Sequence, residues 1–403
     1  MDLILINAPS PQLEDDLIAP PIGLMCLAAY VEEKHSVRIL DMCGNADLKL
    51  LENCESKVIG LTLQSTQYKW VHDAIPKLRK LYPNSKIVLG GHHASALPNE
   101  TMSELQPDCV VIGDGEDALV RILNGETGII YGKQVDINIA PRPAYHLINI
   151  KQYHRTINGI LATTIMSSRG CPFACHFCAK LPNSKYRYRN PDLVIEDIKF
   201  LRDTYGIKAI QFHDDDFTYP NNRLVAIANG LRSLRITWRC MSRTTNINFD
   251  LLKHMKDCGC YEICFGVESG SDRILKFLNK QATSENNKNA IINAKRAGLK
   301  VLVCLMINVP TETQEDIELT KKLILETKPD SWLLNSFIPT VGSEMWGNPD
   351  KYGFKILSHD FTKYHSLGKH GKGGMVTDSK YDVESVRNEF LQFLKSHVKD
   401  QHN

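Results

Sequence analysis

Three cysteines in the run RGCPFACHFC, Cys171, Cys175 and Cys178, stand at C-x3-C-x2-C spacing directly after a strand-like segment. Three thiolates on one short loop can each ligate one iron of a 4Fe-4S cluster. The fourth iron is then open, able to bind the amine and carboxylate of a small molecule and to deliver an electron to it. Zinc is the competing occupant, with His176 as its fourth ligand, but structural zinc normally draws a second ligand pair from further along the chain. The next close pair, Cys258 and Cys260, begins 80 residues after Cys178 in a strand-like region. The other nine of the twelve cysteines, Cys26, Cys43, Cys54, Cys109, Cys240, Cys258, Cys260, Cys264 and Cys304, read as small buried hydrophobes. A second cluster on Cys258, Cys260 and Cys264 is the alternative for that group.

The elements that must position this loop follow a strand and helix alternation. Before it, LILIN, SVRILDM, VIGLTL, KIVLGG and DCVVIG are short apolar runs separated by segments of helical spacing such as PPIGLMCLAAYVEEK and GEDALVRIL. That order implies a doubly wound parallel sheet, with ligands at the carboxyl ends of its strands. Residues 126–160 lack a clear period, carry Pro141 and Pro143, and read as a linker. From Thr163 the alternation resumes through six strands, which suits a partial parallel barrel. After Pro339 the pattern stops. Gly342, Gly347 and the stretch GKHGKGG follow, then a plausible amphipathic helix from Val383 to Val398. The glycine-rich stretch reads as a solvated loop, with a mobile lid as the alternative. The expected organisation is a first domain over 1–125, a linker over 126–160, a barrel over 161–345 and a short helical tail over 346–403.

Composition narrows the class. With 48 Lys plus Arg against 46 Asp plus Glu in 403 residues, the net charge is +2 and the apolar fraction is 43%. A nucleic-acid binder needs a strong basic excess or stripe, so none is expected as a partner. The N-terminus has no basic region ahead of an apolar core, and no apolar run approaches the ~20 residues of a membrane helix. Cytoplasmic location is therefore expected, where thiols stay reduced.

With these motifs in place, the chain resembles a radical S-adenosylmethionine (SAM) enzyme over most of its length. RGCPFACHFC is similar to that family's cluster loop. HDDDF (213–217), WRCMSR ending at Arg243, GVESGSDRIL and NVPTET resemble the strand ends that hold SAM. The resemblance implies SAM contacts from Phe177, Asp215, Asp216, Arg243, Glu268, Ser269 and Asn308. The last motif is usually written with glycine where this chain has Asn308 and Thr311. Read without the resemblance, the three aspartates are a solvated acidic turn, Glu268 needs a salt bridge or a ligand if buried, and Arg243 could pair with a carboxylate.

The first sheet resembles the cobalamin-binding domain found ahead of the barrel in one large branch of the family. APPIGLMCLAAYVEE, VIGLTLQSTQ, LGGHHASALPNE and VIGDGEDAL carry the likeness. It implies corrin contacts from Leu63, Gln64, Ser65, Thr66, Gly90, Gly91, His92, Gly113 and Gly115. His92 and His93 could instead cap the next helix. The Asp-x-His-x-x-Gly motif of histidine ligation is absent, since Asp41 is followed by Met42, Cys43 and Gly44.

The fold expected is thus α/β, a Rossmann-like cobalamin-binding sheet followed by a partial (β/α)6 TIM-type radical SAM barrel. The function implied is an oxygen-sensitive, cobalamin-dependent methyltransferase. A 4Fe-4S cluster would cleave SAM to a 5′-deoxyadenosyl radical, and methylcobalamin would methylate an unactivated carbon or phosphorus of a small molecule or peptide. An external donor of the flavodoxin or ferredoxin type would supply electrons. The alternative keeps the radical and replaces methylation by cyclisation, deoxygenation or rearrangement.

Overall fold

The computed structural model describes residues 1–10, 15–181, 184–364, 377–378 and 382–398. The GKHGKGG stretch lies outside them. The first domain runs β1 (Leu3–Asn7), α1 (Ile22–Val31), β2 (Val37–Asp41), β3 (Val58–Thr62), α2 (Tyr68–Leu81), β4 (Lys86–Gly90), α3 (His92–Ala96), α4 (Pro98–Leu105), β5 (Cys109–Ile112), α5 (Gly115–Leu123) and β6 (Gly128–Tyr131). The strands form one parallel sheet of order β2-β1-β3-β4-β5-β6. The chain reverses direction across the sheet at β1, and a doubly wound sheet opens its ligand crevice at such a point, outside the carboxyl ends of the strands.

The stretch read as linker contains two strands that were not foreseen, Gly128–Tyr131 and Thr156–Ile157. The first, β6, pairs along β5 from Cys109↔Gly128 to Ile112↔Tyr131. GIIY is four residues long, too short to show a period, so only the template of β5 makes it a strand.

The second domain runs β7 (Thr156–Ile157), β8 (Ile160–Ile165), β9 (Ser168–Arg169), β10 (Arg187–Tyr188), α6 (Pro191–Tyr205), β11 (Ala209–Phe212), α7 (Asn221–Leu234), β12 (Thr237–Ser242), α8 (Phe249–Asp257), β13 (Cys260–Glu268), α9 (Asp272–Phe277), α10 (Ser284–Arg296), β14 (Lys300–Ile307), α11 (Gln314–Thr327) and β15 (Ser331–Ser336). Six strands run parallel in the order β15-β14-β13-β12-β11-β8, with β7 antiparallel on the β8 edge. This is the partial barrel expected. Local caps start its helices: Thr283 and Thr313 close capping boxes on α10 and α11, and Asn190 caps α6 ahead of Pro191. After the barrel come α12 (Glu344–Gly347) and α13 (Val383–His397).

The barrel strands follow a period of two. Trp238, Cys240, Ile263, Phe265, Val301, Val303 and Leu305 join the apolar core beneath the helices. Their neighbours in sequence, Arg239, Met241, Glu262, Cys264, Gly266, Leu302 and Cys304, therefore face the lumen.

The two domains share a continuous core in which Met25 of α1 and Ala144 and Tyr145 of the connecting stretch join Val194 and Ile198 of α6. Ion pairs reinforce the junction. Arg169 reaches Glu116 at 2.6 Å, and Arg187 reaches Asp114 at 2.7 Å. Both arginines flank the cysteine loop, so the loop's two ends are fastened to the first domain.

Candidate functional site

The cysteine loop leaves β9 and returns through β10, an antiparallel pair with Arg187 opposite Arg169 and Tyr188 opposite Ser168. Gly170 turns the chain at φ +76°, a conformation glycine adopts without a Cβ penalty. The far side of the loop is held by backbone. His176 N–H donates to the Leu278 carbonyl at 3.0 Å, Met345 N–H donates to the His176 carbonyl at 3.0 Å, and Asn279 Nδ2 donates to the Ala174 carbonyl at 2.6 Å.

His176 Nδ1 lies 3.1 Å from the Phe277 carbonyl, so this ring fastens the loop to the end of α9. Among the described residues no three His, Cys, Asp or Glu side chains converge on one ion. A cubane asks for something different, since each cysteine binds its own iron. As free thiols Cys171 and Cys178 are pushed upward, first by desolvation, with Cys178 reaching about 12. Positive charge at the loop is what would hold them as thiolates.

Two cations supply it. Arg243, at the end of β12, is buried, donates from Nη1 to Cys175 Sγ at 3.2 Å and stacks its guanidinium carbon 4.0 Å over the Phe173 ring. Its Nε and Nη2 are buried without a hydrogen-bond partner in the chain. Buried donors of a charged group are costly to leave unpaired, so they point to a ligand acceptor such as a carboxylate. Lys280 is the second cation. Burial alone would lower its ammonium pKa, but Glu268 and the Cys175 sulfur outweigh it and the net shift is upward.

Glu268 ends β13 at a register shift after Gly266, in the left-handed region at φ +61°. Lys280 Nζ donates to its Oε1 at 2.7 Å, with both side chains buried. A Cβ on Gly266 would lie 2.7 Å from Lys280 Nζ and 2.9 Å from Glu268 Oε1, so a larger residue there would make the two side-chain ends shift. Ser269 is wholly buried, its hydroxyl 3.2 Å from Thr320 Oγ1 and accepting from Ser271 N–H at 3.1 Å. Phe177 packs with Ile274, Leu278 and Phe337 beside the loop.

The acidic run divides. Asp214 makes a buried ion pair with Arg223 at 2.8 Å and accepts from Ser167 N–H at 2.7 Å. Asp216 accepts from Thr218 N–H at 3.1 Å and Oγ1 at 2.7 Å, which spends much of its acceptor capacity on its own turn. Asp215 alone is solvent-accessible. Desolvation raises its pKa, and the charge of His92 of the first domain opposes that shift.

Asn308 and Thr311 stand at φ +60° and +69°. The turn therefore keeps a glycine-type backbone although neither residue is glycine. Asn308 N–H donates to Glu312 Oε2 at 2.7 Å, and Arg273 Nη2 donates to the Thr311 carbonyl at 2.7 Å.

At the carboxyl ends of the first sheet, Leu63 N–H donates to the Gly90 carbonyl at 2.7 Å and its carbonyl accepts from His93 N–H at 3.1 Å. Gln64 and Gln67 form a capping box, while Ser65 Oγ lies 3.0 Å from His93 Nδ1. Thr66 stands in this same short turn, half-buried. His92 and His93 are the first two residues of α3, whose N-cap is Gly91, and neither ring caps the helix, contrary to the capping alternative. Three of the four glycines have reasons inside the chain. Gly91 has φ +112° with Leu63 O 2.9 Å from a built Cβ, Gly113 has φ +83°, and Gly115 would meet Leu27 at 2.9 Å. Gly90 has neither strain nor crowding, with only Val111 at 3.8 Å, so its open space is what a planar ligand over the strand ends would use. A separate cavity of about 650 Å³, whose walls include Tyr68, His93, Glu104, Trp346 and Phe361, contains none of the cysteine-loop or Glu268 residues.

Lys280 is the residue that the sequence did not single out. Its only signal was a lysine following the apolar helix DRILKFL, which is common on any solvated turn.

Comparison with known proteins identifies the family. The Radical SAM superfamily profile matches residues 165–324, and the B12 binding domain profile matches residues 14–123. An uncharacterized methyltransferase of Pyrococcus horikoshii is 30% identical over 380 residues, covering 86% of this chain and 82% of its own. The anaerobic magnesium-protoporphyrin IX monomethyl ester cyclase of Cereibacter sphaeroides is 25% identical over 404 residues, covering 92% of this chain and 65% of its own. In fold, the chain is similar to the radical SAM methyltransferase TsrM from Kitasatospora setae, solved with cobalamin and a 4Fe-4S cluster, at a TM-score of 0.74 and 14% identity over 99% of this chain and 89% of that one. The chain belongs to the radical SAM enzymes that carry a B12-binding domain ahead of the barrel, whose cofactors are a 4Fe-4S cluster, SAM and cobalamin.

Proposed function

We propose that the protein is a cobalamin-dependent radical SAM methyltransferase acting on an unactivated carbon or phosphorus of a small molecule or peptide. The observation that carries this is the orphaned guanidinium edge of Arg243, beside Cys175 and close to Glu268 and Lys280. When bound, the cluster supplies the electron that cleaves SAM and the corrin carries the methyl group.

The chain's own residues then have distinct tasks. Cys171, Cys175 and Cys178 hold the cluster. Arg243 Nε and Nη2 take the SAM carboxylate, Glu268 takes its ammonium, and Phe177, Ser269 and Asn308 shape the nucleoside side. Asp215 faces the cleft, and Asp216 holds the turn beneath it. Leu63 to Thr66, with Gly90, Gly91, His92, Gly113 and Gly115, would hold the corrin at the carboxyl ends of the first sheet. The ion pairs Arg169–Glu116 and Arg187–Asp114 fix the cysteine loop against the first domain, and the shared core packs the two domains together. The electron comes from a flavodoxin- or ferredoxin-type donor in the cytoplasm. Among the described residues no helix is long and apolar enough to cross a membrane.

Anaerobic purification and reconstitution, followed by incubation with SAM bearing a deuterated methyl group, tests the reading. A bound corrinoid and a product heavier by the labelled methyl support it. A protein that binds no corrinoid and ignores added methylcobalamin overturns it. The similarity to a cyclase favours the second reading, a radical rearrangement without methyl transfer, and a product of unchanged methyl count decides for that one.

A further inference from the structure

Cys264 and Cys304 were expected to pack as small hydrophobes, yet neither belongs to an apolar cluster. Both lie on the lumen face of the barrel, with their sulfurs 3.5 Å apart. Cys304 is directly opposite Gly266 in the register of β13 and β14, and Gly266 is the residue against which Lys280 and Glu268 meet. Cys304 is therefore one strand spacing, ~5 Å, from Gly266, and Cys264 lies two residues before Gly266 on the same strand. Beneath them the lumen is closed by polar groups, with Arg239 joined to Gln211 and to Glu262. Cys304 retains partial solvent contact.

A disulfide is not the resting arrangement. Cys264 is opposite Leu302, two residues from Cys304 along β14, so the two Cα atoms are about 8 Å apart by strand spacing and rise. That exceeds the reach of a disulfide without backbone movement. The contact with Cys304 and then burial raise the Cys264 thiol well above its usual range, so it stays protonated.

We infer that the Cys264–Cys304 pair is a hydrogen-atom donor that terminates carbon radicals in the lumen. An S–H bond is weaker than an aliphatic C–H bond, so a carbon radical within reach of Cys304 is quenched by it. The C–H bond forms, the S–H bond breaks, and the unpaired electron stays on sulfur. Cys264 can pass its own hydrogen atom to that sulfur. One electron from a low-potential donor converts the thiyl to thiolate, and a solvent proton restores the thiol. The pair thereby returns to C–H any radical that escapes productive capture. This rests on the radical SAM reading above.

The test needs no substrate. The reconstituted full chain is incubated anaerobically with SAM and dithionite in D2O, where thiol hydrogens exchange, and the 5′-deoxyadenosine formed is analysed by mass. The expected result is a large fraction carrying one solvent deuterium, falling several-fold in Cys304→Ser and further in Cys264→Ala/Cys304→Ser, at unchanged iron content. Cys304→Ser preserves shape, so loss of folding does not mimic the effect. An unlabelled product in the parent protein, or a deuterium fraction that both variants leave unchanged, overturns the inference. Absence of any 5′-deoxyadenosine overturns the radical reading itself, which separates the two failures.

Discussion

Lys280 Nζ donates to Glu268 Oε1 at 2.7 Å, and this pair is buried beside the cysteine loop. Glu268 is held there in a left-handed backbone conformation by the bulge after Gly266. Desolvating two charges is costly, so the pair persists because each satisfies the other.

Lys280→Met leaves Glu268 buried without its cation. Breaking such a pair typically costs about 3–5 kcal/mol, while removing both charges costs far less. Denaturant unfolding of Lys280→Met, Glu268→Gln and the double variant is expected to show strong coupling, with the double variant recovering most of the loss. Additive effects would mean that the pair is not intact in solution.

Arg243 has one edge on Cys175 and two nitrogens with no partner. Arg243→Lys keeps the charge but loses the planar fork. Hydrogen bonds to charged groups contribute about 1.5–3 kcal/mol, so SAM affinity should fall roughly 10- to 100-fold. Equilibrium binding of SAM to the reconstituted protein measures this, with iron content unchanged. Equal affinity would show that the free guanidinium edge meets something other than SAM.

What was legible in the sequence depended on locality. The cysteine spacing and the strand and helix alternation are written within a few residues, and the alternation gives the two sheets that were expected. Lys280 was invisible because it meets Glu268 only through the bulge at Gly266 and the turn between α9 and α10. The three aspartates look alike in sequence, yet Arg223, nine residues on in α7, assigns Asp214 to a buried ion pair. Cys264 and Cys304 resembled core residues because strand composition does not say which face is lumen.

Thr311 shows where a departure from glycine costs stability. A β-branched residue at φ +69° is strained, by about 1–2 kcal/mol for an L-residue in this region. The hydrogen bonds from Arg273 to its hydroxyl and carbonyl, at 3.1 and 2.7 Å, hold it there. Thr311→Gly is expected to raise the unfolding free energy by about 0.5–1 kcal/mol, the strain relief being reduced by glycine's freedom in the unfolded chain. Thermal or denaturant unfolding reads it out, and a destabilised variant would assign more weight to the Arg273 contacts than to strain.

His93 gives the first domain a pH dependence. The imidazole is buried between Ser65, Tyr68 and Phe361, with its Nδ1 3.0 Å from Ser65 Oγ. Desolvation lowers its pKa to about 4, and the nearby Glu104 carboxylate opposes this only partly. Since the folded value lies below the unfolded one near 6.5, the unfolded chain takes up a proton first as pH falls. Stability due to this residue is complete above about pH 6.5 and is lost as pH descends toward 4. By pH 5 the loss amounts to about 2 kcal/mol. His93→Gln keeps a polar group beside Ser65 and cannot titrate, so its unfolding free energy should change less between pH 7 and pH 5 than that of the parent by about this amount. Identical pH profiles would mean that His93 is protonated in the folded protein or reaches solvent.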